Sequence, residues 1–162
     1  MDKAQLIQQV EQHLRALLDA SRRTAEESRD AAAHIATEEE KRSDSRVVLE
    51  FGALAKGHER RSRQLQEELD ALERVHPKTL SRRDPIQLGA IVEVEDDAEG
   101  RTFFLLPVAA GREITGPGGD GVLTVITASS PMGRAMMGKR VGETIEVQAG
   151  PEPREWTITY IG

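Results

Sequence analysis

Four carboxylates crowd seven positions at Glu38, Glu39, Glu40 and Asp44. Oxygen ligands at that density can hold a metal ion if one end of the molecule delivers them into a cavity. A solvated bend would show the same composition, so the elements around the acids must decide between the two. A second feature is basic. From Ile86 to Gly162 there are 11 acids and only 6 bases, and three of those bases, Arg134, Lys139 and Arg140, fall together. They form either a contact island on an acidic domain or a chance cluster on a solvated surface. No thiolate chemistry is open to a chain without cysteine. The four histidines, His13, His34, His58 and His76, are scattered far apart, and no nucleophile–base pair is legible. The chain is therefore not expected to be an enzyme in its own right.

The acids sit midway between two helical stretches. Residues 3–37 contain neither Gly nor Pro, and Leu6, Val10, Leu14, Leu17, Ala20, Thr24, Ala31 and Ile35 recur at helical spacing. Residues 45–76 repeat the pattern through Val47, Phe51, Leu54, His58, Arg61, Leu65, Leu69, Leu72 and Val75, until Pro77 ends it. Folding back at residue 40 or 41 brings Leu6 to Val75, Val10 to Leu72, Leu17 to Leu65, Ala31 to Phe51 and Ile35 to Val47. The expectation is an antiparallel coiled-coil hairpin over residues 1–76, with arms about 45–50 Å long and a tip at about 38–46. Its middle is polar, with Thr24 and Glu27 facing His58 and Arg61. Asp44 or Ser43 is a reasonable cap for the second arm.

A linker, 77–85, leads to residues 86–162, which alternate as strands. Runs at 86–94, 102–108, 122–126, 144–147 and 156–161 make a small, mostly antiparallel sheet of about five strands, with 112–121 a Gly/Pro-rich loop. The stretch Gly116-Pro117-Gly118-Gly119 lacks a following Lys-Ser/Thr, so it is a turn and not a phosphate loop. Between the last runs lies a helix with both ends written in: Ser130 to cap it, Pro131 to start it and Gly138 to stop it. Such a short helix must pack on the sheet to exist, with Met136 or Met137 facing inward. Formal net charge is -6 at pH 7, which argues against a nonspecific DNA coat. With a polar N-terminus and no long apolar run, the expected setting is the cytoplasm, with no membrane contact.

Ser130-Pro131-Met132-Gly133-Arg134-Ala135-Met136-Met137-Gly138-Lys139 resembles the Ser-Pro-(apolar)-(Gly/Ala)-Arg-(Ala/Gly)-Leu-Ile-Gly-Lys segment of the bacterial Gre family of transcript cleavage factors, GreA and GreB. The run from Leu88 to Val94 is similar to that family's Gly-Ala opening strand, and the hairpin, linker and sheet order matches as architecture. The resemblance implies an α+β protein whose C-terminal domain is FKBP-like in fold, with no isomerase activity implied. It implies docking of that domain at the rim of the secondary channel of RNA polymerase, where Ser130, Pro131, Met132, Gly133, Arg134, Lys139 and Arg140 would face a coiled coil of the largest subunit. The hairpin would enter the channel as part of a monomer, near the nascent RNA 3′ end, meeting nucleic acid only indirectly. Its tip would help hold an Mg²⁺ ion shared with the polymerase active site, for two-metal hydrolysis of backtracked RNA.

The tip departs from the family pattern. Cleaving members carry Asp-x-x-Glu-Asn-(Ala)-Glu-Tyr there; counting back from Leu69 puts Asp44 at the Glu, Lys41 at the Asp, Ser45 at the Asn, and Val47 and Val48 at the Glu-Tyr pair. A cation at Lys41 opposes Mg²⁺ binding. Glu40 substitutes if the bend slips by one residue, with Glu38 or Glu39 assisting. Two versions stand: a cleavage-stimulating factor using Asp44 and Glu40, or a non-cleaving channel binder. An adaptor that uses the hairpin as a recognition rod is the reading from a different class.

Overall fold

Helical periodicity yields two long helices in a computed structural model, which describes residues 2–39, 45–116, 119, 121–148 and 152–162, without the side chains of 37–39 and 45. Helix α1 spans Lys3–Glu39 and α2 spans Ser45–Glu73. Asp2 starts α1 by accepting a hydrogen bond from the Ala4 N–H at 3.0 Å. No helix among the described residues is long and apolar enough to cross a membrane. The chain divides into two compact units, one of Met1–Glu11 with Asp70–Gly162 and the other of Gln12–Leu69.

The unit Gln12–Leu69 is an antiparallel helix pair, with a seam that differs from expectation in its middle. The buried positions are Leu14, Leu18, Ser21, Ala25 and Ser28 on α1, and Ala55, Ser62, Leu65 and Leu69 on α2. Leu17 and Leu54, expected inside, are 38% and 47% exposed. Val47 is outside as well, and neighbouring Val48 is half-buried. Thr24 bonds back to the Ala20 carbonyl of its own helix, while Glu27 and Arg61 are exposed. Small side chains explain the shift. They let the helix axes approach, and serine hydroxyls remain satisfied there because they can bond a helical carbonyl. Ser62 Oγ donates to the His58 carbonyl at 2.9 Å, and Ser21 Oγ reaches the same carbonyl from α1 at 3.0 Å. The partner of the polar seam is thus the backbone at His58, where the sequence had suggested its ring. Exposed pairs such as Arg29–Glu59 flank the seam and add little.

The other unit is a six-stranded sheet in the order β3-β4-β2-β1-β6-β5. The strands are β1 (Ile91–Glu95), β2 (Gly100–Leu105), β3 (Glu113–Thr115), β4 (Val122–Ile126), β5 (Thr144–Gln148) and β6 (Pro153–Ile161). β2 and β4 run parallel and every other pair antiparallel, so the sheet is mixed. Two departures from the expected strands have local causes. Residues 86–90 do not join β1, because Gly89 adopts a left-handed φ of 84° and turns the chain before Ile91. The Gly/Pro-rich loop hides β3, whose Ile114 pairs with Leu123.

Strand alternation gives the sheet two buried faces. On one face Ala90, Val92, Val94, Phe103, Leu105, Ile126, Ile145, Val147, Trp156, Ile158 and Ile161 pack with Ile86 and with Met136 of helix α3 (Pro131–Met136). On the other face Ile91, Phe104, Ile114, Leu123 and Val125 are buried as well. The hairpin base belongs to this unit, with Leu6, Val10 and Leu72 almost fully buried. It is tied to the sheet's edge by one side chain. Gln9 Nε2 donates to the Thr115 carbonyl at 2.9 Å, and Gln9 Oε1 accepts from the Thr115 N–H at 3.2 Å. One amide thereby fills the place of a neighbouring strand on β3, an edge that would otherwise offer unpaired groups.

Trp156 is the largest fully buried side chain, and its indole N–H has no hydrogen-bond partner among the described residues. The guanidinium groups of Arg101 and Arg154 lie 5.4 and 5.1 Å from the ring centroid. Carboxylates hold them there: Arg101 meets Glu99 at 2.8 Å, and Arg154 meets Asp96 at 2.6 Å and Glu99 at 2.9 Å.

Candidate functional site

Helix α3 is six residues long, too short to persist without neighbours. Its fixed pose comes from bonds at both ends. Ser130, extended at φ −68° and ψ 155°, accepts the Gly133 N–H on Oγ at 3.1 Å while donating from Oγ to the Thr127 carbonyl at 2.7 Å. One hydroxyl therefore caps the helix and ties it to the end of β4. At the far end, Gly138 turns at φ 77°; its N–H donates to the Ile86 carbonyl at 2.9 Å, and the Ile86 N–H returns a bond to the Lys139 carbonyl at 2.8 Å. Ser130→Ala is expected to cost about 1 kcal/mol in chemical denaturation. An unchanged midpoint would show that the cap is not holding the helix.

Gly133 sets how closely the helix lies on β4's end. A Cβ built there meets the Thr127 carbonyl oxygen at 1.9 Å and Ser130 Oγ at 3.0 Å. Met136 is fully buried, which resolves the choice between the two methionines, and Met137 is 40% exposed. Met132 and Ala135 lie half-buried against the same core. Pro131, Arg134, Met137 and Arg140 face solvent. Of the residues expected to contact a partner, Ser130 and Gly133 thus hold the segment's shape, Met132 joins the core, and Arg134 and Arg140 project.

The bases are fixed by local acceptors. The Arg134 guanidinium donates to the Ser129 carbonyl. The Arg140 guanidinium donates to the Arg83 carbonyl. Glu143 organises the turn after α3: one carboxylate oxygen takes Lys139 Nζ at 3.1 Å and the other takes the Arg140 N–H at 2.7 Å. The Lys139 hydrogen bond, then the Arg140 N–H, holds the Glu143 carboxyl below the ordinary carboxylate range. Asp84 is lowered likewise, chiefly by the Ser81 N–H at 2.8 Å and its hydroxyl at 2.7 Å, with Arg140 adding a smaller attraction.

These depressed groups favour the folded state above the unfolded carboxylate value, about 4. The contribution is lost as pH falls through the folded values. The unfolding midpoint is therefore expected to drop below about pH 4, and less steeply in Glu143→Gln than in the parent chain. Equal slopes would show that Glu143 does not contribute.

Sequence reasoning passed over three participants here. Met137 could have been found from helical phase once Met136 was placed inside. Glu143 and the Arg83 carbonyl carry no local signal, because both act across turns that the pattern does not specify. Among the described residues no group of three or more His, Cys, Asp or Glu side chains is placed to hold a metal ion. The expected tip ligands Glu40 and Asp44, with Lys41, lie outside the described residues, as do the side chains of Glu38 and Glu39.

The chain is 28% identical over 90 residues to Transcription elongation factor GreA of Thermomicrobium roseum, a match covering 56% of this chain and 53% of that one. The chain thus spans about half the length of the curated relative it matches. Among solved structures it is similar to the transcription factor Gfh1, at 22% identity and a TM-score of 0.41, covering 93% and 92% of the two chains. The GreA factor homolog 1 protein of Thermus thermophilus follows at 20% identity and a TM-score of 0.37, with 94% of each chain covered. Residues 81–162 match the family model described as "Transcription elongation factor, GreA/GreB, C-term". That region holds α3 and all six strands of the sheet, and as it makes up half of the chain, the protein belongs to the GreA/GreB family of transcription elongation factors.

Proposed function

We propose that this protein binds bacterial RNA polymerase in the cytoplasm as a monomer, docks at the rim of the secondary channel through α3 and its following turn, and inserts the hairpin toward the active site. The observation that carries the reading is the segment from Ser130 to Arg140. It lies inside the family match, its shape is fixed by Ser130 and Gly133, and it presents Pro131, Arg134, Met137 and Arg140 to solvent. An apolar pair beside arginines is the composition of a protein-contact surface.

The hairpin then acts on elongation in one of two ways. In the first, Asp44 and Glu40 lend carboxylate oxygens to the Mg²⁺ of the polymerase active site, and hydrolysis of backtracked RNA is stimulated by the polymerase's own chemistry. In the second, the hairpin occupies the channel without promoting cleavage. Lys41, standing where cleaving members have Asp, favours the second.

Stalled elongation complexes carrying labelled RNA separate the two. Addition of the protein is expected to change elongation without shortening the transcript. Transcript shortening that disappears in Asp44→Ala would replace this version with the cleaving one. No effect on elongation of any kind would overturn the proposal.

A further inference from the structure

The turn after α3, with Lys139 and Arg140, does not stand alone, because the segment before β1 is bonded onto it. Ser81 and Asp84 close a turn on each other, with the Asp84 N–H donating to the Ser81 carbonyl at 3.0 Å and the Asp84 carboxylate accepting the Ser81 N–H and hydroxyl. Two residues later the paired backbone bonds of Ile86 attach the chain to Gly138 and Lys139. The Arg140 guanidinium then grips the Arg83 carbonyl. Residues 81–86 are thereby bonded to the α3 segment, and they carry two more exposed arginines, Arg82 and Arg83.

Charge accounting makes this surface distinct. Residues 81–86 and 129–143 together hold five bases and two acids. Elsewhere between Ile86 and Gly162 there are ten acids and three bases. Both local acids are already engaged: Asp84 by Ser81, and Glu143 by Lys139 and the Arg140 N–H. Arg82 and Arg83 are exposed, and Arg140 is bonded to the Arg83 carbonyl.

From this we infer that Arg82 and Arg83 extend the docking surface, and that the surface they contact on the polymerase is acidic. The inference rests on the polymerase-docking reading and specifies its partner. A folded protein suits the patch better than a nucleic-acid backbone. Met137 and Pro131 are exposed within it, no aromatic side chain is present there to stack on bases, and the rest of the domain is acidic enough to repel a polyanion. Rim charges of this kind act chiefly on association and on salt sensitivity.

The test measures binding of the full chain to bacterial RNA polymerase core enzyme. Arg82→Glu/Arg83→Glu is compared with Arg82→Lys/Arg83→Lys and with Arg134→Glu, at low and high salt. The double Glu variant is expected to bind about tenfold more weakly near 0.1 M NaCl, with the gap closing near 0.5 M, where screening is strong. The double Lys variant is expected to keep most of the affinity. An unchanged affinity in the double Glu variant, with Arg134→Glu still impaired, would overturn the inference and leave docking through α3 standing. If neither variant is impaired, the docking reading itself fails. Competition of the parent chain off the polymerase by a short single-stranded RNA, lost in the double Glu variant, would overturn the acidic-protein assignment in favour of a nucleic acid.

Discussion

Gly133→Ala is expected to destabilise the sheet unit by about 2–3 kcal/mol, near the upper end of what overpacking one methyl group costs. The added Cβ would lie 1.9 Å from the Thr127 carbonyl oxygen. That oxygen belongs to backbone that also accepts from Ser130 N and Ser130 Oγ, so it cannot withdraw without losing the cap. Relief has to come from lifting α3, which would pull Met136 from a fully buried site. Trp156, the single tryptophan of the chain, is buried in the same core and reports unfolding by fluorescence. Gly138→Ala supplies the control. Its left-handed φ of 77° disfavours a side chain, but among the described residues no atom beyond its chain neighbours lies within 4 Å of the added Cβ, and about 1 kcal/mol is expected. Equal losses in the two variants would mean that close helix–strand contact is not what Gly133 provides.

Arg134→Glu is expected to leave stability within about 0.5 kcal/mol of the parent chain while weakening polymerase binding by about tenfold or more. Its backbone N–H still closes the first turn onto the Ser130 carbonyl at 2.9 Å, so the cap and the helix survive. What is lost is an exposed cation beside Met137, replaced by the charge that an acidic partner repels. Arg134→Lys is expected to fall between the two, since it keeps the charge and loses the planar fork. The adaptor reading, in which the hairpin alone recognises a partner, predicts no change in either variant.

How much of this is legible in the sequence depends on the kind of signal. The capped helix was readable because Ser130, Pro131 and Gly138 each act within a few residues of their own position, and all three behave as local chemistry requires. The coiled-coil seam was readable at its apolar ends and misread in its middle. Leu17 and Leu54 attracted the pattern because apolar residues usually face inward, whereas tight packing placed Ser21, Ala25, Ala55 and Ser62 there. Contacts between distant segments left no trace. Nothing in the neighbourhood of Gln9 announces Thr115, and nothing near Arg140 announces the Arg83 carbonyl. The steric demand at Gly133 was likewise invisible, since it arises from where β4 ends and not from the helix itself.

Placement of a photo-crosslinking side chain at Met137 tests the docking account most directly. The Met137 side chain is 40% exposed and outside the core, while the backbone N–H closes the last turn of α3 onto the Gly133 carbonyl at 3.0 Å, a bond that a side-chain replacement leaves in place. Irradiation with RNA polymerase core enzyme, followed by peptide mapping, is predicted to give a crosslink to the largest subunit at the rim of the secondary channel. Crosslinks confined to any other surface of the enzyme, or none while the protein remains bound, would contradict the account.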